Sequence, residues 1–522
     1  MPAVLKPDIE AYRLMCAGRF SAALEFAERA VAGEHACVPA HGMLATILLS
    51  LGRAQEAEHV VRQALESAPG IPDAYDGLAH VSMLLGQHER SNRLYRRVTE
   101  LSPSSARAWY NFAASERSFG RLVEAEQACE RAIALDAAHY PSILLRSELR
   151  IQTTEANHVE QLREWLARRG GEDRARMFLG YALGKELDDL KRFDEAFQWF
   201  SAGASARRRN LNYDVAVDER KLRRIIEVFP RESLRGEIPG REVATREVPS
   251  REIPSREAPS REVSSREVSS REVPARSEGG RYIFIVGLPR SGTTLIERIL
   301  TGLPGVRSNG ETANFSRALL SACPAGAGDV FERAAHADPH AVASGYAALA
   351  DGVDAADRIV EKLPLNYLYL GAIHRALPAA KLILVSRSPL DSCFAMYRTL
   401  FGEAYPFSYD FEDLARYYAA YAALIAHWRA SFGQAIHEVL YEELVRDPRA
   451  GGMALAQHCG LTWNDRALEI QNNAAVSLTA SAAQVRRPIY GSSSGRWRHY
   501  RAHFEPLVRA LRRHGVALPP DV

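Results

Sequence analysis

One stretch of the chain has the residue types of a phosphate-binding loop. Residues 282–295 read Tyr-Ile-Phe-Ile-Val-Gly-Leu-Pro-Arg-Ser-Gly-Thr-Thr-Leu, which is a β-prone run, a glycine-containing turn and a helix start. This order presents backbone N–H groups and a helix N-terminus to an anion. Thr293 stands where the loop of an ordinary NTPase has its phosphate-binding lysine. Arg290 instead supplies a guanidinium suited to a tetrahedral oxyanion.

Further charged residues follow the other β-prone runs. Glu311 lies in Ser-Asn-Gly-Glu-Thr, Lys362 in Val-Glu-Lys-Leu-Pro, and Arg387 ends Leu-Ile-Leu-Val-Ser-Arg. A late Gly/Ser loop adds Arg486, Arg487, Ser494, Arg496 and Trp497. Several cations and one carboxylate at strand ends predict a nucleotide ligand with two separate phosphate groups.

These residues need a parallel sheet to bring them together. Strands are predicted at 282–286, 358–361, 381–386 and 436–441, and they alternate with predicted helices at 293–303, 366–377, 390–400, 411–431 and 498–513. Such alternation indicates an α/β fold with helices on both faces of the sheet. Ligands of such sheets bind beyond the carboxyl ends of the strands.

The first 200 residues carry a 34-residue repeat. Gly18, Gly52, Gly86 and Gly120 recur at this spacing, which is typical of tetratricopeptide (TPR) helical hairpins with glycine at the turn. Residues 191–196 repeat the sequence pattern of residues 120–125. The series of repeats is therefore predicted to continue to about residue 215. Stacked hairpins form a solenoid whose concave face usually binds peptides or proteins.

Seven pentads such as Arg-Glu-Val-Pro-Ser fill residues 241–275. Proline and serine disfavour helix and sheet, and the charges cancel, which predicts a disordered linker. The predicted domains are an all-α TPR solenoid at 8–215, a linker at 216–280 and an α/β domain at 281–515.

Bulk composition excludes several other classes. The formal net charge of +2 gives no general basis for binding nucleic acid or membrane. Six scattered cysteines favour reduced thiols over a disulfide framework or a zinc site. The N-terminus has no signal-peptide pattern and no window resembles a membrane span. We therefore expect a cytoplasmic protein, and the sequence does not predict its oligomeric state.

The quoted motifs resemble those of the P-loop-like sulfotransferases, most closely the tyrosylprotein type and its bacterial TPR-linked relatives. The resemblance covers residues 281–515 and implies 3′-phosphoadenosine 5′-phosphosulfate (PAPS) as the donor, without a metal. It implies that Glu311 is the catalytic base, that Lys362 faces the bridging oxygen and that Arg290 serves both binding and catalysis. The donor-binding residues it implies are Arg290, Ser291, Gly292, Thr293, Thr294, Leu295, Arg387, Ser494, Arg496 and Trp497.

Two positions depart from the family pattern. Ala395 stands where a serine is expected eight residues after Arg387, and Ser392 is one helical turn earlier. Gly495 stands where another serine is expected, beside Ser494. Because a neutral hydrogen bond contributes about 1 kcal/mol, these departures predict weaker donor binding and not inactivity.

The sequence thus predicts in-line sulfuryl transfer from PAPS to an acceptor hydroxyl, with a protein or peptide tyrosine favoured and the TPR groove selecting the acceptor. Two alternatives stay open. One is a nucleotide-dependent phosphotransferase, which Mg²⁺ dependence would support. The other is a TPR interaction scaffold with an inactive sulfotransferase domain.

Overall fold

The computed structural model describes residues 7–32, 38–66, 71–234, 278–324, 326–351 and 356–519. The pentads at 241–275 lie outside these ranges, as does Cys37. Two parts are distinguished below: residues 7–209 are called the array, and residues 278–519 are called the sheet domain.

The array consists of antiparallel helices that pack as successive hairpins. Its helices are α1 (Pro7–Cys16), α2 (Phe20–Ala32), α3 (Val38–Ser50), α4 (Ala54–Glu66), α5 (Pro72–Leu84), α6 (His88–Leu101), α7 (Ala106–Phe119), α8 (Leu122–Leu135), α9 (Tyr140–Leu149), α10 (Val159–Arg169), α11 (Asp173–Asp189) and α12 (Phe193–Arg209). Small buried residues such as Ala45, Ala79 and Ala113, all fully buried, allow neighbouring helices to approach closely.

The four repeating glycines occupy the turns inside the hairpins. Gly18, Gly52, Gly86 and Gly120 have φ between 70° and 81°, a left-handed conformation in which glycine has no steric penalty. The predicted role of these glycines is confirmed. In the last hairpin the equivalent residue is Lys191, which adopts φ 61° without being glycine.

The predicted linker begins later than 216. Residues 215–234 form α13 (Val215–Val228) and α14 (Arg231–Leu234), and both pack on the sheet domain. The reason is apolar burial: Leu222, Ile225 and Phe229 belong to a core cluster that the array and the sheet domain share. Arg416 also pairs with Glu219 at 2.5 Å.

The sheet is fully parallel and has five strands in the order β2-β3-β1-β4-β5. They are β1 (Tyr282–Gly287), β2 (Val306–Ser308), β3 (Arg358–Glu361), β4 (Lys381–Ser386) and β5 (Ile436–Leu440). The predicted α/β class is therefore confirmed. β2 was not predicted, because three half-buried residues give no recognisable period.

Helices cover both faces of this sheet, as two separate apolar clusters show. They are α15 (Thr293–Thr301), α16 (Asn314–Ala322), α17 (Val330–Ala335), α18 (Pro339–Ala350), α19 (Leu370–Ala376), α20 (Pro389–Tyr397), α21 (Phe411–Phe432), α22 (Tyr441–Arg446), α23 (Pro448–Cys459) and α24 (Glu505–Arg513). The helix predicted at 498–513 is divided: a 3₁₀ helix spans Arg496–His503, and α24 starts after it.

The array packs directly on the sheet domain. The buried carboxylate of Asp188, at the end of α11, accepts hydrogen bonds from Arg398 and Arg496, each at 2.5 Å, and from the Tyr500 hydroxyl. Tyr181 donates to the Tyr397 carbonyl at 2.9 Å. The two parts therefore share a buried polar interface.

Candidate active site

The phosphate-type loop joins β1 to α15 at the carboxyl edge of the sheet. Gly292 has φ 110° and caps α15. A Cβ at this position would lie 2.5 Å from the Tyr441 ring, so the turn requires glycine. Thr293, Thr294 and Leu295 then line a cavity of about 150 Å³ together with Arg290.

Three arginines converge on this cavity. Arg290 has φ 67° and donates through Nη2 to Gln484 Oε1 at 2.8 Å and through Nη1 to the Ser481 hydroxyl. Arg387 donates to the Arg290 carbonyl at 3.0 Å, and its guanidinium lies 4.7 Å from the centre of the Tyr441 ring. Arg496, the first residue of the 3₁₀ helix Arg496–His503, also lines the cavity.

Each of these guanidinium groups keeps a buried donor without a partner. The Nε atoms of Arg290, Arg387 and Arg496 make no hydrogen bond to any of the described residues. Buried donors left unsatisfied cost free energy unless a ligand accepts from them. The guanidinium groups on its wall make the cavity suited to an anion rich in acceptor oxygens.

Burial changes the acidity of the arginine in the loop. Burial and then the nearby charge of Arg398 lower the pKa of Arg290 to about 10, although the charge of Glu148 opposes this. Arg290 is still a cation near neutral pH. Glu148 belongs to α9, so a side chain of the array contributes to the field at this cavity.

Glu311 borders the same cavity and pairs with Lys362. The Lys362 ammonium is fully buried and donates to Glu311 Oε1 at 2.5 Å, with Glu297 at 3.6 Å on its other side. The cavity lined by Arg290 and the start of α15 is called the phosphate cavity here, after its loop. Lys362 does not line it and lies instead on a neighbouring polar cavity. Its direct partner among the described residues is Glu311.

A second carboxyl group lies beneath the turn that carries Glu311. Glu361 is fully buried and accepts from the Thr312 hydroxyl at 2.5 Å and from Asn309 at 3.3 Å. Burial raises the pKa of Glu361 to about 7, although these hydrogen bonds oppose the shift. Because Thr312 and Asn309 flank Glu311, this buried group fixes the position of the turn.

Three predicted donor-binding residues do not line the cavity. Ser291 is buried behind the loop on another cavity, and its hydroxyl has no hydrogen-bond partner among the described residues. Ser494 is exposed, and its neighbour Ser493 faces the cavity instead. Trp497 is 3% exposed and packs in the core, because the 3₁₀ helix that begins at Arg496 turns its indole inward.

The two departures from the family pattern have a structural context. Ala395 lines the cavity, whereas the Ser392 hydroxyl is buried behind Arg387 and faces the carbonyl of Arg387 at 3.4 Å. Ser392 therefore does not replace the missing serine. The N–H of Gly495 donates to Asp391 Oδ2 at 2.7 Å, which ties the late loop to α20.

The cavity-wall residues that sequence reasoning missed include Asp391, Arg398, Tyr405 and Gln484. None belongs to a motif with a fixed spacing to the loop. Tyr405 gave no sequence signal, although its φ of 52° makes it one of three non-glycine residues with positive φ among the described residues. Arg398 is one turn beyond Ala395 and faces the same side of its helix.

No group of three or more His, Cys, Asp or Glu side chains arranged to hold a metal occurs in the described part of the chain. Likewise, none of the helices within the described ranges is long and apolar enough to cross a bilayer.

Similarity to known protein families agrees with this division into two parts. The sulfotransferase family profile matches residues 282–465, and a tetratricopeptide repeat profile matches residues 14–81. An uncharacterized protein of Aquifex aeolicus (strain VF5) is 26% identical over 408 residues, covering 76% of this chain and 48% of that protein. The chain thus spans about half the length of this curated relative.

Solved structures of low similarity cover each part. The sulfotransferase domain of the Synechococcus PCC 7002 olefin synthase is 19% identical with a TM-score of 0.34, covering 46% of this chain and 95% of that one. YrrB, a TPR protein with an unusual peptide-binding site, is 17% identical with a TM-score of 0.24, covering 37% of this chain and 89% of that one. By the two profile matches, residues 14–81 are similar to tetratricopeptide repeats and residues 282–465 are similar to the sulfotransferase family.

Proposed function

We propose that the protein transfers a sulfuryl group from PAPS to an acceptor hydroxyl, with a protein or peptide tyrosine favoured. The observation that supports this best is the convergence of three arginines, Arg290, Arg387 and Arg496, on a cavity that Glu311 also borders. A donor with two separate phosphate groups would place anionic oxygens beside these guanidinium groups.

The residues fit a donor of this kind. Arg290 and the start of α15 would hold the 5′-phosphosulfate, since backbone N–H groups, a helix N-terminus and a guanidinium all favour an anion. Arg387 and Arg496 would hold the 3′-phosphate. Tyr441, already stacked under Arg387, keeps that guanidinium in place. PAPS supplies the activated sulfuryl group, whose bond to the leaving phosphate oxygen is weak.

Glu311 is proposed as the general base. Its carboxylate would accept the proton of the acceptor hydroxyl while that oxygen bonds to sulfur and the sulfur–oxygen bond of the donor breaks. General-base assistance contributes about 10²- to 10⁴-fold in rate. Lys362 holds Glu311 in position, and the fixed arginines compensate the charge that develops on the leaving phosphate.

We also propose a cytoplasmic location. Cys16, Cys129, Cys323, Cys393 and Cys459 are free thiols. Burial raises the pKa of both Cys129 and Cys459 to about 12, so these two side chains are inert core residues. Reduced thiols of this kind are usual in cytosolic proteins.

The first experiment is a calorimetric titration of the whole protein with PAP, the desulfated product, beside ATP with Mg²⁺. We expect metal-independent PAP binding that Arg290→Ala weakens about 10- to 100-fold, because the variant loses charge-assisted hydrogen bonds. Glu311→Gln should bind PAP like the wild type. Preference for Mg-ATP would favour the phosphotransferase, and no nucleotide binding would favour the scaffold.

A further inference from the structure

Glu311 borders two further cavities, and they differ in size and chemistry. One, of about 990 Å³, lies between the array and the sheet domain and is called here the interdomain cavity. The other, of about 300 Å³, lies on the Lys362 side and is polar, with Glu297, Arg307 and His88 on its wall. Either could in principle lead an acceptor to Glu311.

The interdomain cavity meets the phosphate cavity at one place. Glu311, Phe401, Tyr405 and Ala480 line both of them. In-line transfer requires the acceptor oxygen and the leaving oxygen on opposite sides of the transferred group. A base at the junction of a donor cavity and a second cavity satisfies this requirement.

The array forms one wall of the interdomain cavity. Helices α7, α9, α11 and α12 contribute Tyr110, Ala114, Arg117, Pro141, Leu144, Leu145, Glu148, Arg174, Met177, Phe178 and Arg207. Most of these side chains are apolar or aromatic. Two of the arginines are already paired, Arg207 with Glu403 at 2.8 Å and Arg117 with Glu148 at 3.6 Å.

The wall opposite the array is aromatic next to Glu311. The rings of Phe401 and Tyr405 are 4.8 Å apart in an edge-to-face arrangement. Tyr405 is held at φ 52°, where a non-glycine residue carries strain. Such strain often accompanies a functional position. Tyr405 and Glu311 line both cavities. In keeping with this, burial and then the charge of Glu311 raise the pKa of Tyr405.

We propose that the acceptor reaches Glu311 through the interdomain cavity, that its occupant is a peptide segment carrying a phenolic side chain, and that Phe178 of the array is a specificity-determining residue. This inference rests on the proposed sulfuryl transfer. The aromatic rings of Phe401 and Tyr405, next to Glu311, suit a phenol ring, and Phe178 on the array wall suits an apolar side chain of the flanking peptide. The cavity is far larger than one such ring, so it also has room for the flanking peptide.

The test measures sulfuryl transfer from PAPS to a pool of dodecapeptides with one fixed tyrosine in random flanks. The same pool with phenylalanine serves as the blank, and p-cresol serves as a small phenol. Phe178→Ala should raise KM for the tyrosine pool about tenfold, because a buried phenyl contact is lost. The kcat, the PAP affinity and the KM for p-cresol should change less than twofold.

Two control variants make the result specific. Phe112→Ala removes another partly buried phenyl group of the array, one that packs on its core and does not line the cavity. His88→Ala alters the smaller polar cavity. Both should leave KM for the pool unchanged. If Phe178→Ala does not fold, Met177→Ala on the same wall replaces it, with the same expectation.

The outcomes separate this inference from the function on which it rests. An unchanged KM in Phe178→Ala, or a raised KM in His88→Ala, would overturn the interdomain route while sulfuryl transfer stands. Transfer to p-cresol without transfer to any tyrosine peptide would overturn the peptide occupant. Failure of the wild type to bind PAP would overturn the proposed function itself.

Discussion

The carboxyl group of Glu361, beneath the turn that carries Glu311, favours the folded protein more when it is protonated than when it is ionised. Burial raises its pKa from 4.5 to about 7. Between these two pH values the folded protein holds a proton here that the unfolded chain releases. The contribution of Glu361 to the free energy of unfolding therefore falls by about 3 kcal/mol as pH rises from 4.5 to 7.

We expect Glu361→Gln to flatten this dependence, because the amide has no proton to lose in the range. Between pH 4.5 and 8, the unfolding free energy of the wild type should fall by about 3 kcal/mol more than that of the variant. Urea unfolding at several pH values measures it. Exposed Glu443→Gln is the control and should follow the wild type. Parallel curves for Glu361→Gln and wild type would refute the assignment.

At the scale of elements, one hairpin turn of the array keeps its left-handed conformation without glycine. Lys191 occupies the left-handed position that glycine holds in four other hairpins of the array. Its N–H still donates to the Asp188 carbonyl at 3.1 Å, so the turn is kept despite the Cβ. A non-glycine residue in this region costs about 1 kcal/mol.

Lys191→Gly should therefore stabilise the protein by about 0.5–1 kcal/mol, less than the strain relieved because glycine also loosens the unfolded chain. Gly86→Ala should destabilise it by about 1 kcal/mol. A Cβ at Gly86 meets no atom within 4 Å, so only the backbone conformation is tested. Thermal unfolding of both variants gives the comparison. A destabilised Lys191→Gly would show that the lysine side chain matters more than the strain.

Elements were predictable where a local pattern decides them. Four of the five strands were predicted because β1 and β4 contain buried apolar runs and β3 and β5 are β-prone. The three-residue β2 was not predicted, and helices α16 to α18, α22 and α23 were missed. The motif residues Arg290, Glu311 and Arg387 were predicted to meet, and they do.

The missing part of the site depends on contacts between distant segments. Arg398 reaches the phosphate cavity beside Asp188, which is 210 residues away in the chain. The position of Tyr405 depends on a backbone conformation with positive φ, which the spacing of residues in the sequence does not predict. Trp497 was a donor-binding residue only by the family resemblance, and here a 3₁₀ helix turns it into the core.

At the scale of the whole molecule, Asp188 joins the array to the residues of the site. Its carboxylate is 2% exposed and partners two arginines and a tyrosine of the sheet domain. Removing one member of a buried ionic network leaves the others as uncompensated charges, and this costs about 3–5 kcal/mol. The stability of the interface between the array and the sheet domain thus depends strongly on the Asp188 carboxylate.

Asp188→Asn should lower the free energy of unfolding by about 3 kcal/mol, measured by urea unfolding of the full chain. Asp413→Asn is the matched control. It also breaks an ion pair between helices α12 and α21, with Arg208 at 2.7 Å, but that arginine is one-third exposed. The control should lose about 1 kcal/mol or less. Equal losses would mean that Asp188 is not the central contact.

The docking of α13 and α14 has a consequence for how the gene can change. Since these helices are anchored on the sheet domain before residue 235, the arrangement of the two parts does not depend on how many pentads follow. Each pentad corresponds to five codons, so replication slippage that adds or removes one preserves the reading frame. Lengthening a connecting segment costs only about 0.6 kcal/mol per doubling. Selection on the site would therefore tolerate alleles that differ in the number of pentads.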